Sequence, residues 1–551
     1  MLANEKLLDF KNLIKDFSRD EIIWTNGYLA GILVNNQENK LPEVAKINLV
    51  KPTIIYGTET GNAKKLATQL QSIFKKNKVQ SKVVDAFQYP LEKIEKEEFI
   101  IFIISTQGDG DLPQNVQKFY DNLSNLNSNL ASTKYAVLGL GDTSYPFFCK
   151  SGEEIDELFH RLGANRAISL VKTDIDYQPI ADEWFAQILN LVQNSGQSVL
   201  SSETKISTVS HKKNYEGIVK HKVILNDKGS NKETYHIEIA LNEQVDYEPG
   251  DALGIYPKNN PIETSKIARF FGAESRYKEL ELKNIRALSK KSIEAFSQLF
   301  NIEINEGKID LIDVLNRYEL QSTTITFDAV LALLHSVAPR LYSISSSTEA
   351  HENEIHLTVS LDTFEIEEQQ KTGLCSQFLA DFEVNHSIEF YIHKNKNFKL
   401  PTDDEAIIMI GPGTGIAPFR SFLAHRDATG SEGKNWLFFG EQHFVSDFYY
   451  QTEIQEWLST GVLQKLDTAF SRDQKEKIYV QNRVKEQAKE IFEWIDNGAY
   501  LYVCGQKNGM STDVENTLVE IIATEKDVDT ETAKNYLEKL EEEGRYQKDV
   551  Y

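Results

Sequence analysis

Three apolar runs limit what this chain can fold into: TIIYG (53–57), FIIFIIS (99–105) and KYAVLGLG (134–141). Each is continuous rather than alternating, as expected of strands buried on both faces of a parallel sheet. The first passes through TETGNA (58–63) into a helical segment; the others pass into STQGDGDLPQN (105–115) and GDTSYPFFCKSG (141–152). Loops at the C-terminal ends of such strands converge on one crevice in a doubly wound sheet. A Gly-rich loop entering a helix offers backbone N–H groups and the positive end of the helix dipole to an anion. Gly57 and Gly61 are not followed by the Lys-Ser/Thr pair of a triphosphate loop, so the hydroxyls of Thr58 and Thr60 with Asn62 suit a monophosphate.

From about residue 215 the pattern changes. GIVKHKVIL, TYHIEIAL and the Pro249-Gly250-Asp251 turn read as short antiparallel strands of a barrel, with a helical Lys/Glu-rich insertion over about 260–335. Strands resume at PRLYSISSS (339–347). Arg340 offers a fork for a pyrophosphate, Tyr342 a flat face for a ring and Ser343 a hydroxyl for a ring heteroatom. Taken alone, the same run is also what a sheet edge looks like. In KTGLCSQFLAD, Gly373 to Ser376 open a helix, a second phosphate site by the same dipole argument.

The last third begins AIIMIGPGTGIAPFRSFL: a buried strand, Gly411, Gly413 and Gly415, then a helix expected from Pro418. SRDQKEKIYVQ gathers Ser471, Arg472, Lys477, Tyr479 and Gln481 in what reads as one loop and strand. Two cations, two hydroxyls and an amide suit a 2′-phosphate, hence NADPH over NADH; the alternative is a solvated basic turn.

The formal charge of −23 argues against a nucleic-acid or anionic-membrane partner and permits a basic protein partner. Cys149, Cys375 and Cys504 are too far apart for a zinc spacing or a disulfide framework, so no metal site is expected and a reducing cytoplasm suits the chain. No basic region followed by an apolar core opens the chain, so neither signal peptide nor membrane anchor is expected.

The three loops of the first sheet resemble those of flavodoxins. The resemblance implies FMN, with its phosphate at Thr58, Glu59, Thr60, Gly61, Asn62 and Ala63, and its ring between Ser105, Thr106, Gln107, Gly108 and Leu140, Gly141, Asp142, Thr143, Ser144, Tyr145, Phe148, Cys149. Tyr145 is the stacking candidate, whereas Gln107 stands where relatives often carry a second aromatic. R-x-Y-S with a G-x-x-S loop resembles the ferredoxin-NADP reductase superfamily. It implies FAD on Arg340, Leu341, Tyr342, Ser343, Thr358, Val359, Ser360, Gly373, Leu374, Cys375 and Ser376, with Phe364 where relatives carry Tyr.

Flavodoxin, linker, FAD barrel and nucleotide module occur in the order of the diflavin reductases. GYLAGIL, IGPGTGIAPFR, GKNWLFFG, SRDQKEKIYVQ and RYQKDVY most resemble the flavoprotein subunits of bacterial NADPH-sulfite reductases. The implied fold is multidomain: a helical arm (1–50), a flavodoxin-like doubly wound sheet (51–194), a flexible linker (195–214), an FAD-binding antiparallel β-barrel with its helical insertion (215–400) and a ferredoxin-NADP-reductase-like nucleotide-binding α/β domain (401–551). The implied cofactors are FMN, FAD and NADPH. The nucleotide would lie on Gly413, Thr414, Gly415, Ser471, Arg472, Lys477, Tyr479, Gln481 and Asp513, Tyr551 would cover the FAD ring, and Ser343, Cys504 and Asp549 would surround hydride transfer. The implied partner is a separate sirohaem iron–sulfur hemoprotein subunit that reduces sulfite to sulfide.

Two rival readings are a free-standing diflavin reductase serving a haem monooxygenase or another acceptor, and a flavin-bearing redox sensor or scaffold without turnover. The N-terminal arm reads either as a hairpin packed on the next domain or as an assembly arm, through which a homo-oligomer could form. The acidic residues Asp109, Asp111, Asp142, Glu153, Glu154, Asp156 and Glu157 read either as a solvated face or as a docking rim.

Overall fold

The computed structural model describes residues 51–193 and 213–551, except 60, 108–109, 126–128, 144, 146, 175–176, 306–308, 319–324, 367–368 and 403. The N-terminal arm, nearly all of the linker, and Thr60, Gly108, Asp109 and Ser144 therefore lie outside the described residues.

The three founding runs form β1 (Pro52–Gly57), β3 (Phe99–Ser105) and β4 (Lys134–Leu140), joined by β2 (Lys82–Asp85), β5 (Asn165–Arg166) and β6 (Val171–Thr173). The order is β2-β1-β3-β4-β5, with β6 also on β4, and every pairing is parallel. Helices α1 (Asn62–Lys76), α2 (Gln114–Ser124), α3 (Lys150–Arg161) and α4 (Gln178–Gln193) cover both faces and bury two separate cores. That coverage is why the strands are continuously apolar. The chain reverses its winding between β1 and β3, so the loops after these strands border one crevice.

The second sheet is antiparallel, in the order β10-β9-β14-β7-β8-β11. Its strands are β7 (Asn214–Ile224), β8 (Thr234–Leu241), β9 (Ala252–Ile255), β10 (Arg340–Ser343), β11 (Glu354–Ser360) and β14 (Ser387–His393), with a separate hairpin, β12 (Thr363–Ile366) and β13 (Gln369–Thr372). A bridge between Ile344 and Leu357, with Ser345 N–H donating to His356 O at 2.9 Å, brings the two edges together and closes a barrel. Between β9 and β10 lies the helical insertion: α5 (Pro261–Phe270), α6 (Lys290–Phe300), α7 (Leu311–Arg317) and α8 (Phe327–Leu333), packed around Phe296, Leu311, Val314 and Val330. Helix α9 (Leu374–Asp381) follows β13.

A second parallel sheet, ordered β17-β16-β15-β18-β19, ends the chain. It comprises β15 (Ile407–Ile410), α10 (Ile416–Thr429), β16 (Asn435–Glu441), α11 (Gln451–Thr460), β17 (Lys465–Phe470), α12 (Val480–Glu486), α13 (Ala488–Asp496), β18 (Tyr500–Gly505), α14 (Thr512–Lys526), α15 (Thr530–Glu542) and β19 (Tyr546–Val550). Two local expectations are corrected. Helix α10 begins at Ile416, not Pro418, because a 3₁₀ turn at Gly413–Gly415 runs straight into it; Pro418 then sits in the first turn, where no donor is needed. Residues 471–481 lead into a helix rather than a strand: Tyr479 N–H donates to Asn482 Oδ1 at 2.8 Å, a reciprocal cap that fixes the start of α12. Among the described residues no helix is long and apolar enough to cross a membrane.

The flavodoxin-like module is docked against the rest by a scatter of polar contacts. Lys507 Nζ donates to Glu59 O at 2.9 Å and lies 3.6 Å from its carboxylate. Lys65 reaches Asn397 at 2.9 Å, Lys291 reaches Glu154 at 3.0 Å and Lys64 lies 3.7 Å from Glu538. The Phe147 ring meets the edge of His335 at 4.6 Å between centroids. Exposed ion pairs of this kind contribute about 1 kcal/mol or less each and are screened by salt. Docking should therefore be reversible: small-angle scattering should show the radius of gyration rising with ionic strength, and rising already at low salt in Lys507→Ala. A radius independent of both would contradict this reading.

Candidate functional site

At the first crevice, Gly61 takes φ +86°, a left-handed conformation that admits glycine without strain, and so turns the chain into α1. The helix head has no side-chain cap, which leaves its first N–H groups for an anion. Gly61 N–H donates to Thr58 Oγ1 at 3.0 Å, and Gln114 N–H donates to Glu59 Oε1 at 3.0 Å, tying the loop before α1 to the loop after β3. Asn62 Oδ1 accepts from the Tyr177 hydroxyl at 3.2 Å, while the side chain of Ala63 is wholly buried.

The loops after β3 and β4 are braced from behind. Thr143 donates to Asp174 through its N–H at 3.1 Å and its hydroxyl at 2.6 Å. Gln107 and Asp111 form a two-residue bridge, and Thr106 Oγ1 accepts from Ser151 N–H at 3.3 Å. Ser105 Oγ lies 3.4 Å from Gly57 O, Gly141 N–H donates to Thr173 O at 3.0 Å, and Tyr145 N–H donates to Asp142 O at 3.0 Å. Leu140 is core, and Phe148 is half-buried. Cys149 takes a left-handed φ of 54° ahead of α3, and its thiol points into the core toward Gly139 O; burial pushes its pKa up to about 12, so it supports the loop and is chemically inert. The acidic rim divides. Asp156 is buried and holds Arg166, Glu153 is shared by Lys150 and Lys172, and Glu154 faces Lys291 of the helical insertion.

On the barrel, Arg340 and Leu341 are exposed on β10, while Tyr342 turns into the barrel wall. Burial, then the neighbouring Cys375 thiol, raises the Tyr342 pKa; burial pushes Cys375 itself up to about 12. Gly373 and Leu374 head α9, an uncapped helix start, and Ser376 Oγ accepts from Asp362 N–H at 3.1 Å. Thr358 and Val359 offer no side chain to a ligand: the Thr358 hydroxyl pairs with that of Tyr450 at 2.6 Å and Val359 lies in the barrel core. Ser360 is half-buried at the end of β11, and Phe364 is exposed on the hairpin.

Three residues from distant parts of the chain meet where the barrel abuts the last sheet. Ser343 Oγ donates to Asp549 Oδ2 at 2.8 Å, and Cys504 Sγ lies 4.0 Å from the same oxygen, across the β18–β19 register that pairs Cys504 with Asp549. Burial raises the pKa of both Asp549 and Cys504; the Ser343 hydrogen bond partly offsets the rise at Asp549. Two residues on, the Tyr551 hydroxyl pairs with Thr414 Oγ1 at 2.7 Å. The turn carrying Thr414 approaches β18 so closely that a Cβ on Gly415 would lie 2.2 Å from Cys504 O. Only glycine permits that approach.

Further out, Ser471 is buried at the end of β17, while Arg472 and Lys477 are exposed and, among the described residues, have no carboxylate partner. Tyr479 is half-exposed, and Gln481 donates to Asp513 at 3.2 Å. A fork, an ammonium and hydroxyls around one loop fit a dianion. The uncapped head of α1, the exposed Arg340 beside the head of α9, and the glycine-narrowed turn before α10 likewise fit two flavin nucleotides and a dinucleotide pyrophosphate.

Sequence reading missed what holds these stations in register. Arg420, buried in α10, donates to Ser345 O at 2.8 Å and to His356 Nδ1 at 3.1 Å, and grips Glu453 with two bonds of 2.6 and 2.7 Å. His356 Nε2 lies 3.1 Å from Glu354, and His236 lies 3.0 Å from the Tyr450 hydroxyl and 3.1 Å from Glu238. Accepting from Arg420 at Nδ1 leaves His356 its proton on Nε2, facing Glu354. An arginine in the middle of the apolar helix IAPFRSFL was the available signal.

Comparison with known proteins agrees with this layout. Residues 54–184 match the flavodoxin family model, 279–378 the FAD binding domain and 409–516 the oxidoreductase NAD-binding domain. The chain is thus an NADPH-dependent flavoprotein oxidoreductase that binds FMN, FAD and NADPH and passes electrons from NADPH through FAD to FMN. Over 98% of its length it is 36% identical to the sulfite reductase [NADPH] flavoprotein alpha-component of Bacillus subtilis (strain 168), covering 97% of that protein. Proteins of the same description from Vibrio cholerae serotype O1 (strain ATCC 39315 / El Tor Inaba N16961) and Escherichia coli O157:H7 are 35% and 36% identical over the whole chain, which covers 96% and 98% of them. The chain belongs to the family of sulfite reductase [NADPH] flavoprotein alpha-components.

The histidine clamp sets an acid limit. Burial first, then the Arg420 charge, holds His236 down to about 3 and His356 down to about 2. In the unfolded chain both would take up protons below about pH 6.5. The folded state then binds fewer protons, and each histidine removes about 1.4 kcal/mol of stability per pH unit as pH falls through that window. His356→Gln, which keeps an acceptor for Arg420, should lose melting temperature less steeply than the parent between pH 6.5 and 4.5. Parallel profiles would refute this account.

Proposed function

We propose that this chain is the electron-supplying component of an NADPH-dependent sulfite reductase and delivers electrons to a separate sirohaem iron–sulfur hemoprotein that reduces sulfite to sulfide. The observation that supports it best is end-to-end similarity to proteins described as alpha-components, a description that implies a second component. We assign the modules to 51–194, 215–400 and 401–551, and give the arm (1–50) a role in assembly, including self-association. A cytoplasmic site suits a supplier of reducing equivalents that draws on NADPH.

When bound, the three nucleotides would supply a hydride donor in NADPH, its acceptor in FAD and, with FMN, the splitting of the electron pair into single electrons; the protein supplies position. Arg340 and the head of α9 hold the FAD pyrophosphate, and Tyr342 and Ser343 line its ring. The loop Thr58–Ala63 holds the FMN phosphate, with the ring between residues 105–108 and 140–149. The Gly413–Gly415 turn takes the NADPH pyrophosphate; Ser471, Arg472, Lys477, Tyr479 and Gln481 take its 2′-phosphate, with Asp513 orienting Gln481. Tyr551 would cover the FAD ring and give way to an incoming nicotinamide. Asp549, its pKa raised by burial, accepts from Ser343 Oγ, and Cys504 packs beside them.

Mixing the protein with the sirohaem subunit of its own host should give sulfide in proportion to NADPH consumed. Brisk cytochrome c reduction without sulfide would mean that the acceptor is another protein. Arg472→Ala should raise the NADPH KM by about tenfold or more, since one charge-assisted bond is worth about 1.5–3 kcal/mol. An unchanged KM would move the 2′-phosphate site elsewhere.

A further inference from the structure

We propose that the hydrogen bond between Tyr551 and Thr414 is a tether that the incoming dinucleotide must break, so that Thr414 helps set how readily nicotinamide gains access to the flavin. The inference rests on the reading of Tyr551 as the cover of the FAD ring.

The geometry singles out this contact. Residue 551 is held by two kinds of bond. Its backbone pairs with the loop after β18: Tyr551 N–H donates to Gly505 O at 3.1 Å, and Lys507 N–H donates to Tyr551 O at 2.9 Å. The residue is 64% exposed, and its side chain has the 2.7 Å contact with Thr414 Oγ1 as its hydrogen bond. The ring can therefore swing about its own side-chain torsions without peeling β19 from the sheet, and that hydrogen bond opposes the swing. Thr414 cannot follow the ring, because its turn is pinned: Gly415 lies against Cys504 O with no room for a Cβ, and a Cβ on Gly411 would meet Gly415 O at 2.5 Å. Within Gly411–Gly415, Thr414 carries the one side-chain hydroxyl. The same turn is where the pyrophosphate lands, so the tether joins the place where the nucleotide arrives to the group it must displace.

A ligand that fills the adenosine side alone leaves the tether intact; one that seats its nicotinamide must break it. Removing one net hydrogen bond should therefore tighten the second ligand by roughly three- to tenfold and leave the first unchanged. The test uses the oxidised holoenzyme, with no turnover: NADP⁺ and 2′,5′-ADP are titrated by calorimetry, and the flavin absorption change on NADP⁺ binding is followed in parallel. In Tyr551→Phe the NADP⁺ Kd should fall roughly three- to tenfold with a larger flavin band shift at saturation, while the 2′,5′-ADP Kd stays put. Thr414→Ser, which keeps the hydroxyl, should leave the ratio of the NADP⁺ and 2′,5′-ADP Kd values as it is in the parent. Adding Thr414→Val to Tyr551→Phe should give no further tightening of NADP⁺ relative to 2′,5′-ADP.

Tyr551→Ala separates the tether from the covering role. If it tightens NADP⁺ while Tyr551→Phe does not, the tether is refuted and the covering role stands. If neither variant changes NADP⁺ binding, the covering role fails and the tether falls with it.

Discussion

The seating of the barrel on the nucleotide sheet depends on the buried contacts of Arg420. That side chain is a buried guanidinium in a helix of the nucleotide module. It binds the carbonyl of Ser345, two residues beyond Ser343, and the ring of His356 on the neighbouring barrel strand. Its charge is balanced by a two-bond contact with Glu453 and lies over the Tyr450 ring, 4.8 Å from its centroid. A buried charge is tolerable only when its donors are met, and here that requirement locks barrel and nucleotide sheet into one register. Lysine, a point charge without the planar fork, could not reproduce it. The Ser343–Asp549 contact, made across the same boundary, presupposes that register.

The flavodoxin-like module follows a different rule. It meets the rest of the protein through exposed lysine–carboxylate pairs and one aromatic edge contact, each weak, rather than through buried charge. A rigid junction where hydride must pass and a loose one where single electrons leave are consistent demands. Glu154 shows the looseness: it belongs to the acidic face beside the crevice, and in this arrangement it faces Lys291 of its own chain. Lys507 sits at the crossing, with its ammonium on the loop between β1 and α1 and its backbone N–H on the carbonyl of Tyr551.

What could be read from the sequence was what short-range chemistry dictates. The continuous apolar runs forecast two parallel sheets, and Gly61 and the Gly411–Gly415 turn forecast anion-binding helix heads, because backbone conformation at those points leaves few residue choices. The meeting of Ser343, Cys504 and Asp549 followed from resemblance alone; no spacing brings residues 343 and 549 together, and only the β18–β19 register and barrel closure do so. Thr358 and Val359 show the opposite case: they belong to the ligand-lining pattern, but strand alternation sends one side chain into the clamp and the other into the core. The helix at Val480 was hidden because K-I-Y-V alternates like a strand, and a side-chain cap from Asn482 settled the competition. Docking partners such as Phe147 with His335 are invisible to any local pattern.

The relay runs one way, with the flavodoxin-like module as its exit. The most direct measurement is rapid-mixing spectroscopy on protein stripped of FMN but retaining FAD. NADPH should still bleach the remaining flavin at nearly the parent rate while cytochrome c reduction collapses, and adding FMN should restore it. Full cytochrome c reduction without FMN would place the exit elsewhere and contradict the relay.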